Sequence, residues 1–272
     1  LYPFLSPLTD LWRASITSEP IGSLEDGTQI WKITHNGVDT HTIHIHLVNA
    51  QVINRVAWDG LVMPPDANEF GWKETVRVNP LEHTIIAMRP AIPTQPFEVP
   101  NSVRLIDPTR PEGVELMGGP LGFQDPTGMP VMVSNSFINY GWEYVWHCHL
   151  LSHEEMDMIH ALGLAVAPDA PDGLLVDLSI NGALLTWTDN SISETEFLVQ
   201  RADAETGPWA TIATLAADTV SYEDTIGAGT YFYRVIAVNV VGDRTVYAAP
   251  AVGFPTIAEE SAPSNVANIV IP

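Results

Sequence analysis

One cysteine and the residues beside it constrain this chain more than anything else in it. Residues 146 to 158 read Trp-His-Cys-His-Leu-Leu-Ser-His-Glu-Glu-Met-Asp-Met, and Cys148 is the only cysteine in the sequence. The run before it, residues 137 to 145, is Phe-Ile-Asn-Tyr-Gly-Trp-Glu-Tyr-Val. Its aromatic and β-branched content predicts a strand leading into the motif. Side chains alternate faces along a strand, so His147 and His149 point one way and Cys148 the other. A thiolate and two imidazoles in adjacent positions can then serve two metal centres back to back. His153 and Met158 follow the cysteine by five and ten positions, where the chain can leave the strand and curl over the Cys148 face. Two histidines, a cysteine and a distant methionine make the ligand set of a blue-copper electron-transfer site. The second histidine must come from elsewhere.

It comes from residues 40 to 48, Thr-His-Thr-Ile-His-Ile-His-Leu-Val. On a strand, His44 and His46 share a face and His41 takes the opposite one. Two such strands side by side sort the ligands by parity. One face offers His41 and Cys148, with His153 and Met158 closing above. The other offers His44, His46, His147 and His149. A single His-x-His pair could be chance alternation of half-exposed histidines. Two pairs, one of them enclosing the sole cysteine, are hard to read that way. Imidazole with thiolate suits copper or zinc. Structural zinc needs four ligands on one centre, and the opposed faces argue against it.

At these residues the sequence resembles the multicopper oxidases, the laccase-like enzymes. Their last cupredoxin domain carries HPxHxH early and HCHxxxHxxxxM late. Here the first motif is His41-Thr-Ile-His-Ile-His46, with threonine where the family usually has proline, and the second matches throughout. Leu47, where many fungal laccases have glycine, looks more like the bacterial branch. The resemblance implies type 1 copper on His41, Cys148 and His153, with Met158 as a weak axial ligand. It assigns His44 to type 2 copper and His46, His147 and His149 to the type 3 pair. It also implies an acid near the dioxygen channel just after His153, which favours Glu154 over Glu155 as a proton donor. Thr42 leaves the ligands intact but does not fix φ as proline would.

The chain has 272 residues, enough for two domains. No apolar run approaches the length of a membrane span. The sequence starts Leu-Tyr-Pro, which reads as an internal or processed start. Net charge is −22, with Lys32 and Lys73 the only lysines. That disfavours nucleic acid and anionic membrane as partners and fits a secreted protein, extracellular or periplasmic. Residues 1–24 read as a linker and 25–168 as a cupredoxin domain of all-β sandwich type. His41 to Val56 reads as one long strand or a strand with a bulge. Glu74 to Val78 and Glu82 to Met88 read as further strands, and no segment keeps a helical period. His35, His83 and His160 fall outside both motifs and read as surface or core residues. Met117, Met129 and Met132 lie in a proline- and glycine-rich stretch, and ordinary packing explains them.

Beyond the boundary at residues 167 to 173 the motif chemistry stops. Seven short strands at turn-marked spacing are expected from Leu174 to Ala249, the last of them Thr245 to Ala249. Trp187 and the run from Gly229 to Asn239 resemble a fibronectin type III domain over residues 171–254, with Tyr231 where a tyrosine corner would sit. Residues 255–272 read as an acidic, proline-flanked tail. The fold class expected is therefore a cupredoxin Greek-key sandwich followed by an immunoglobulin-like sandwich.

The resembled enzymes take four further cluster histidines from an N-terminal cupredoxin domain. No such motif precedes His41. The expectation is therefore the C-terminal portion of a longer or assembled oxidase, inactive without its N-terminal half. It would pass electrons from a small reducing substrate (a phenol, a pigment or a metal ion) through Cys148, His147 and His149 to dioxygen. The alternative is a stand-alone blue-copper carrier with an adhesive domain. The face bearing His44 and His46 is expected to be rimmed by Ile43, Ile45 and Trp146 and to dock on the missing half.

Overall fold

A computed structural model describes residues 11–13, 28–91, 93–116, 130, 132–242 and 256–272. The chain is all-β, as expected, and its larger sheets form two sandwiches. The first pairs two sheets. One runs in the order Leu11–Arg13, Ile159–Ala165, Trp142–Cys148, His41–Ile45, Thr75–Val78. The other runs Gln29–His35, Glu82–Pro90, Val48–Ala57, Val62–Met63. Ile43, Ile45, Val76, Leu162 and Leu164 from one sheet meet Ala50, Val52, Ile86 and Met88 from the other in a single core. Alternation in the sequence accounts for this: every second residue of Thr75–Val78 is buried.

The long strand expected from His41 to Val56 is two strands in different sheets. His41–Ile45 pairs with Trp142–Cys148 and Thr75–Val78, whereas Val48–Ala57 pairs with Glu82–Pro90. The break sits at Leu47, whose φ of 66° is in the left-handed region, a conformation costing a non-glycine residue about 1 kcal/mol. Leu47 packs on the core, which offsets that strain. The corner lets one β-run cross from sheet to sheet and leaves His46 at its edge. Ile43 and Ile45 are buried in the core, so they do not rim the His44 and His46 face. They share the parity of the cysteine face.

The second sandwich sets a sheet of Asp172–Leu178, Gly182–Thr188 and Ser221–Thr225 against one built on Ala210–Ala216, Glu196–Ala202 and Gly229–Gly242. Leu174, Leu185, Trp187, Phe197, Tyr233 and Val235 fill it. The stretch read as a tail is instead two strands. Ala267–Ile271 pairs with the first half of Gly229–Gly242 and Thr256–Glu260 with the second half. They cover an edge that would otherwise offer unpaired backbone groups, and Ile269 and Ile271 pack on the core. The expected strand Thr245 to Ala249 lies outside the described residues, as do Met117 and Met129. The Tyr231 hydroxyl donates to the Ala228 carbonyl three residues upstream at 3.4 Å, the kind of bond a tyrosine corner makes. Tyr233 is the fully buried tyrosine, and its hydroxyl donates to Asp224 at 2.9 Å.

The sandwiches share a junction. Val241 of the second joins Leu116, Val133, Ile138, Tyr140 and Ala165 of the first in one apolar cluster. Gly141, at φ 62°, stands where any Cβ would meet the Leu164 carbonyl oxygen at 2.4 Å and Val241 at 2.9 Å. Fully buried Asn239 donates to Asn101 at 3.0 Å and to the Val166 carbonyl at 3.1 Å, and accepts from Asn139 at 3.1 Å. Asn239→Ala takes away the donor to the half-buried Asn101 side-chain oxygen and Val166 carbonyl, while Asn139 keeps the Val240 carbonyl, and is expected to cost ~1 kcal/mol. Urea unfolding should then split one transition into two. An unchanged single transition would show that the amide network does not couple the sandwiches.

Candidate metal centre

Pairing register builds the site. The Trp142–Cys148 strand lies between His41–Ile45 and Ile159–Ala165, antiparallel to both. Trp146 faces Ile45, His147 faces His44, and Cys148 faces Ile43 across the ladder. Cys148 therefore points into the core with the isoleucines, and it is fully buried. Two residues further along the same face stands His41. After His149 the chain leaves the sheet through a single helical turn, Leu151–Glu154. His153 closes that turn, its N–H donating to the Leu150 carbonyl at 2.8 Å. Asp157, at φ 63°, then reverses the chain. The Cys148 N–H donates to the Met158 carbonyl at 3.1 Å, so Met158 returns beside the cysteine it follows by ten positions.

His41, Cys148 and His153 converge. Nδ1 of His41 lies 3.4 Å from the Cys148 sulfur, and Nδ1 of His153 lies 3.6 Å from it. The two nitrogens are 3.1 Å apart. Donors held at about 2.0 to 2.3 Å from one ion in a trigonal plane stand roughly 3.5 Å apart, so the three atoms fit a single metal. Met158 packs on the same core cluster. Burial is the first cause that lowers the His41 pKa, followed by the neighbouring His35 and His153 rings, with Asp39 opposing. His35, placed outside the motifs by the sequence, has its ring centroid 4.7 Å from that of His41. It follows the strand pairing of Gln29–His35, which no ligand motif marks.

The opposite face gathers the other histidines. One ring nitrogen each from His44, His46 and His147 lies within 4.8 Å of the other two. Nε2 of His46 and Nε2 of His147 are 3.2 Å apart. His149 stands beside this triad, its ring centroid 5.5 Å from those of His44 and His147. Nδ1 of His44 has the Glu74 carbonyl at 2.9 Å as its acceptor, which leaves Nε2 as the lone-pair nitrogen. Nδ1 of His147 faces the Cys148 carbonyl at 3.4 Å and the Glu154 carboxylate at 3.5 Å, which favours the same tautomer. Nε2 of His147 can then accept a hydrogen bond from Nε2 of His46 across 3.2 Å, or the two nitrogens can share a cation. The face opens into a cleft lined also by Glu74, Ala91 and Tyr144. Burial, then the charges of His44 and His147, lower the His46 pKa. Oε2 of Glu154 is buried without a hydrogen-bond partner, while Glu155 is exposed. His83 bonds Thr34 on the outer surface, and His160 stacks on Trp146 with centroids 4.9 Å apart. Met132 is exposed.

The multicopper oxidase family matches residues 14–95. The laccase of Bacillus subtilis strain 168 is 24% identical over 167 residues, covering 56% of this chain and 23% of that protein. The laccase of Haloferax volcanii is 28% identical over 179 residues, covering 65% of this chain and 22% of its own length. Part of this chain is thus similar in sequence to laccases and to the multicopper oxidase family. It spans less than a quarter of either relative. Among solved structures, an Fn3-like protein from Clostridium thermocellum is 30% identical, with a TM-score of 0.28, over 39% of this chain and 95% of that one. The family match includes the first histidine motif, residues 41 to 46, and ends before the second. No helix among the described residues is long and apolar enough to cross a membrane.

The lowered pKa values of His41 and His46 imply a pH dependence. The unfolded chain binds protons at His41 and His46 as pH falls through about 6.5, while the folded metal-free chain resists doing so. Folding stability is therefore full above that pH and falls as pH drops below it, levelling off under the folded pKa values. Thermal melts of metal-free protein from about pH 8 to about pH 5 should show the loss begin near 6.5, and His46→Gln should flatten it. A slope untouched by His46→Gln would place the titrating groups elsewhere.

Proposed function

We propose that this chain is the C-terminal portion of a multicopper oxidase that takes single electrons from a small reducing substrate and delivers them to dioxygen, which is reduced to water. The observation that carries the reading is the back-to-back arrangement about Cys148, with three convergent donors on one face and three imidazoles on the other. His41, Cys148 and His153 would hold a type 1 copper, with Met158 as axial thioether. His44 would serve a type 2 copper, and His46, His147 and His149 a type 3 pair, which a histidine-bearing N-terminal cupredoxin portion completes. Bound in these places, copper supplies one-electron transfer on the cysteine face and dioxygen reduction on the other.

The residues do the rest. The thiolate of Cys148 is one residue removed along the backbone from His147 and from His149, which makes a short covalent route between the faces. Burial keeps that thiolate out of water, and the Leu151–Glu154 turn holds His153 against it. Glu154, whose buried Oε2 makes no hydrogen bond and lies 3.5 Å from His147 Nδ1, would orient that imidazole and hold a proton on the histidine face. A one-centre carrier would leave the converging imidazoles of His44, His46 and His147 without a task. Phenols, pigments and metal ions are the classes of reducing substrate this reading admits.

Reconstitution tests this reading. The copper-loaded 272-residue chain should be intensely blue yet consume no dioxygen with a phenolic reductant. Adding the N-terminal cupredoxin portion should start dioxygen consumption. Cys148→Ser should remove the colour and the restored activity with the fold intact by circular dichroism, because a hydroxyl is a poor soft-metal ligand. A blue Cys148→Ser protein, or dioxygen reduction by the chain alone, would overturn the reading.

A further inference from the structure

We propose that the second sandwich carries a binding site for a hard, oxygen-seeking divalent cation of the calcium class, formed by Asp189, Glu194 and Asp218. These residues come from two connections of the sandwich, Asp189 and Glu194 from one loop and Asp218 from another. Asp189 follows the Gly182–Thr188 strand, Glu194 precedes Glu196–Ala202, and Asp218 sits in the turn between Ala210–Ala216 and Ser221–Thr225. One carboxylate oxygen of each lies within 4.8 Å of one from the other two. Oxygens at about 2.3 to 2.6 Å from one calcium ion span up to that separation, whereas magnesium requires a tighter octahedron at about 2.0 Å. The donor set has neither imidazole nor thiolate, which sets it apart from the copper ligands of the first sandwich.

Acid clusters are common, and Glu194 is what distinguishes this one. Its side chain is buried, with 9% of the residue exposed. One of its oxygens accepts the Asp218 N–H at 3.1 Å, and the other, Oε2, is buried with no hydrogen-bond partner. A carboxylate oxygen so placed is costly unless a cation or proton meets it. No ion pair formed among the described residues includes Asp189, Glu194 or Asp218. A fourth carboxylate, Glu98 of the first sandwich, reaches across the junction and accepts bonds from Ser191 and Ser193 at 2.6 and 2.5 Å. Burial, with the charges of Asp218 and Glu98, raises the Asp189 pKa. Burial, with the charge of Asp189, raises that of Glu194. The site as built is short of positive charge. An ion there would also brace the 189–194 loop that Glu98 grips, so cation binding would stiffen the junction.

The experiment uses the 272-residue chain stripped with EDTA and titrated with calcium chloride, with magnesium chloride and sodium chloride as controls. Calorimetry should count one calcium per chain with a Kd on the order of 0.1 to 1 mM, the range of extracellular calcium modules. The melting temperature should rise by roughly 5 °C at saturation. Glu194→Gln should melt no lower than the parent in EDTA, because the amide relieves repulsion, and should lose the calcium response. Asp218→Asn, at an exposed position, should weaken binding about tenfold, and it tests the site equally well if Glu194→Gln does not fold. Absence of calcium heat, a melting shift no larger than sodium chloride produces, or a full calcium response in the carboxamide variants would overturn the site.

Discussion

The two-residue period of a β-strand is the constraint on which the rest depends. Because His147 and Cys148 end one extended strand and His149 follows directly, its N–H still bonded to the neighbouring strand at Thr42, alternation keeps the three side chains from one ion. The sheet is therefore a partition with a thiolate on the core side and imidazoles on the outer side. The neighbouring strand obeys the same parity in register, His44 opposite His147 and Ile43 opposite Cys148. The isoleucines that share the cysteine's face tie it to the hydrophobic core, and burial of that core fixes the register. A slip of one residue would bury the histidines and expose the isoleucines together. Core packing and ligand sorting are in this sense one specification.

Much of the site was legible because parity and spacing are local. The strand leading into Cys148, the convergence of His41 with Cys148 and His153, and the grouping of His44, His46 and His147 all follow from alternation and from the five residues that let the chain turn. Harder to read was anything set by a corner or an edge. Leu47 looked like one residue of a continuous strand, yet its left-handed φ divides that run between two sheets. Nothing in leucine announces such a turn, as glycine or asparagine would have. Strand parity, rather than the corner, explains why Ile43 and Ile45 face the core and not a docking rim. His35 joins the neighbourhood of His41 only through sheet pairing, which leaves no trace in sequence spacing.

The second sandwich illustrates the other limit. Its last strands were hidden by acidic and proline-rich surroundings, although Ala267–Ile271 carries the β-branched alternation of a paired strand. The contacts of Asn239, Glu98 and Gly141 across the junction join residues far apart in the chain, and each residue alone reads as an ordinary loop or strand position. Together they hold the second sandwich against the sheet that carries Cys148 and the clustered histidines. That makes it part of the platform on which both faces stand.

One strand, on this view, separates two kinds of metal centre. Anomalous X-ray scattering at the copper edge, on crystals of the copper-loaded chain, tests that most directly. A peak is predicted in the plane of His41 Nδ1, His153 Nδ1 and Cys148 Sγ, with any second density on the far side of the sheet among His44, His46 and His147. A single peak that draws ligands from both faces, or none beside Cys148, would contradict it.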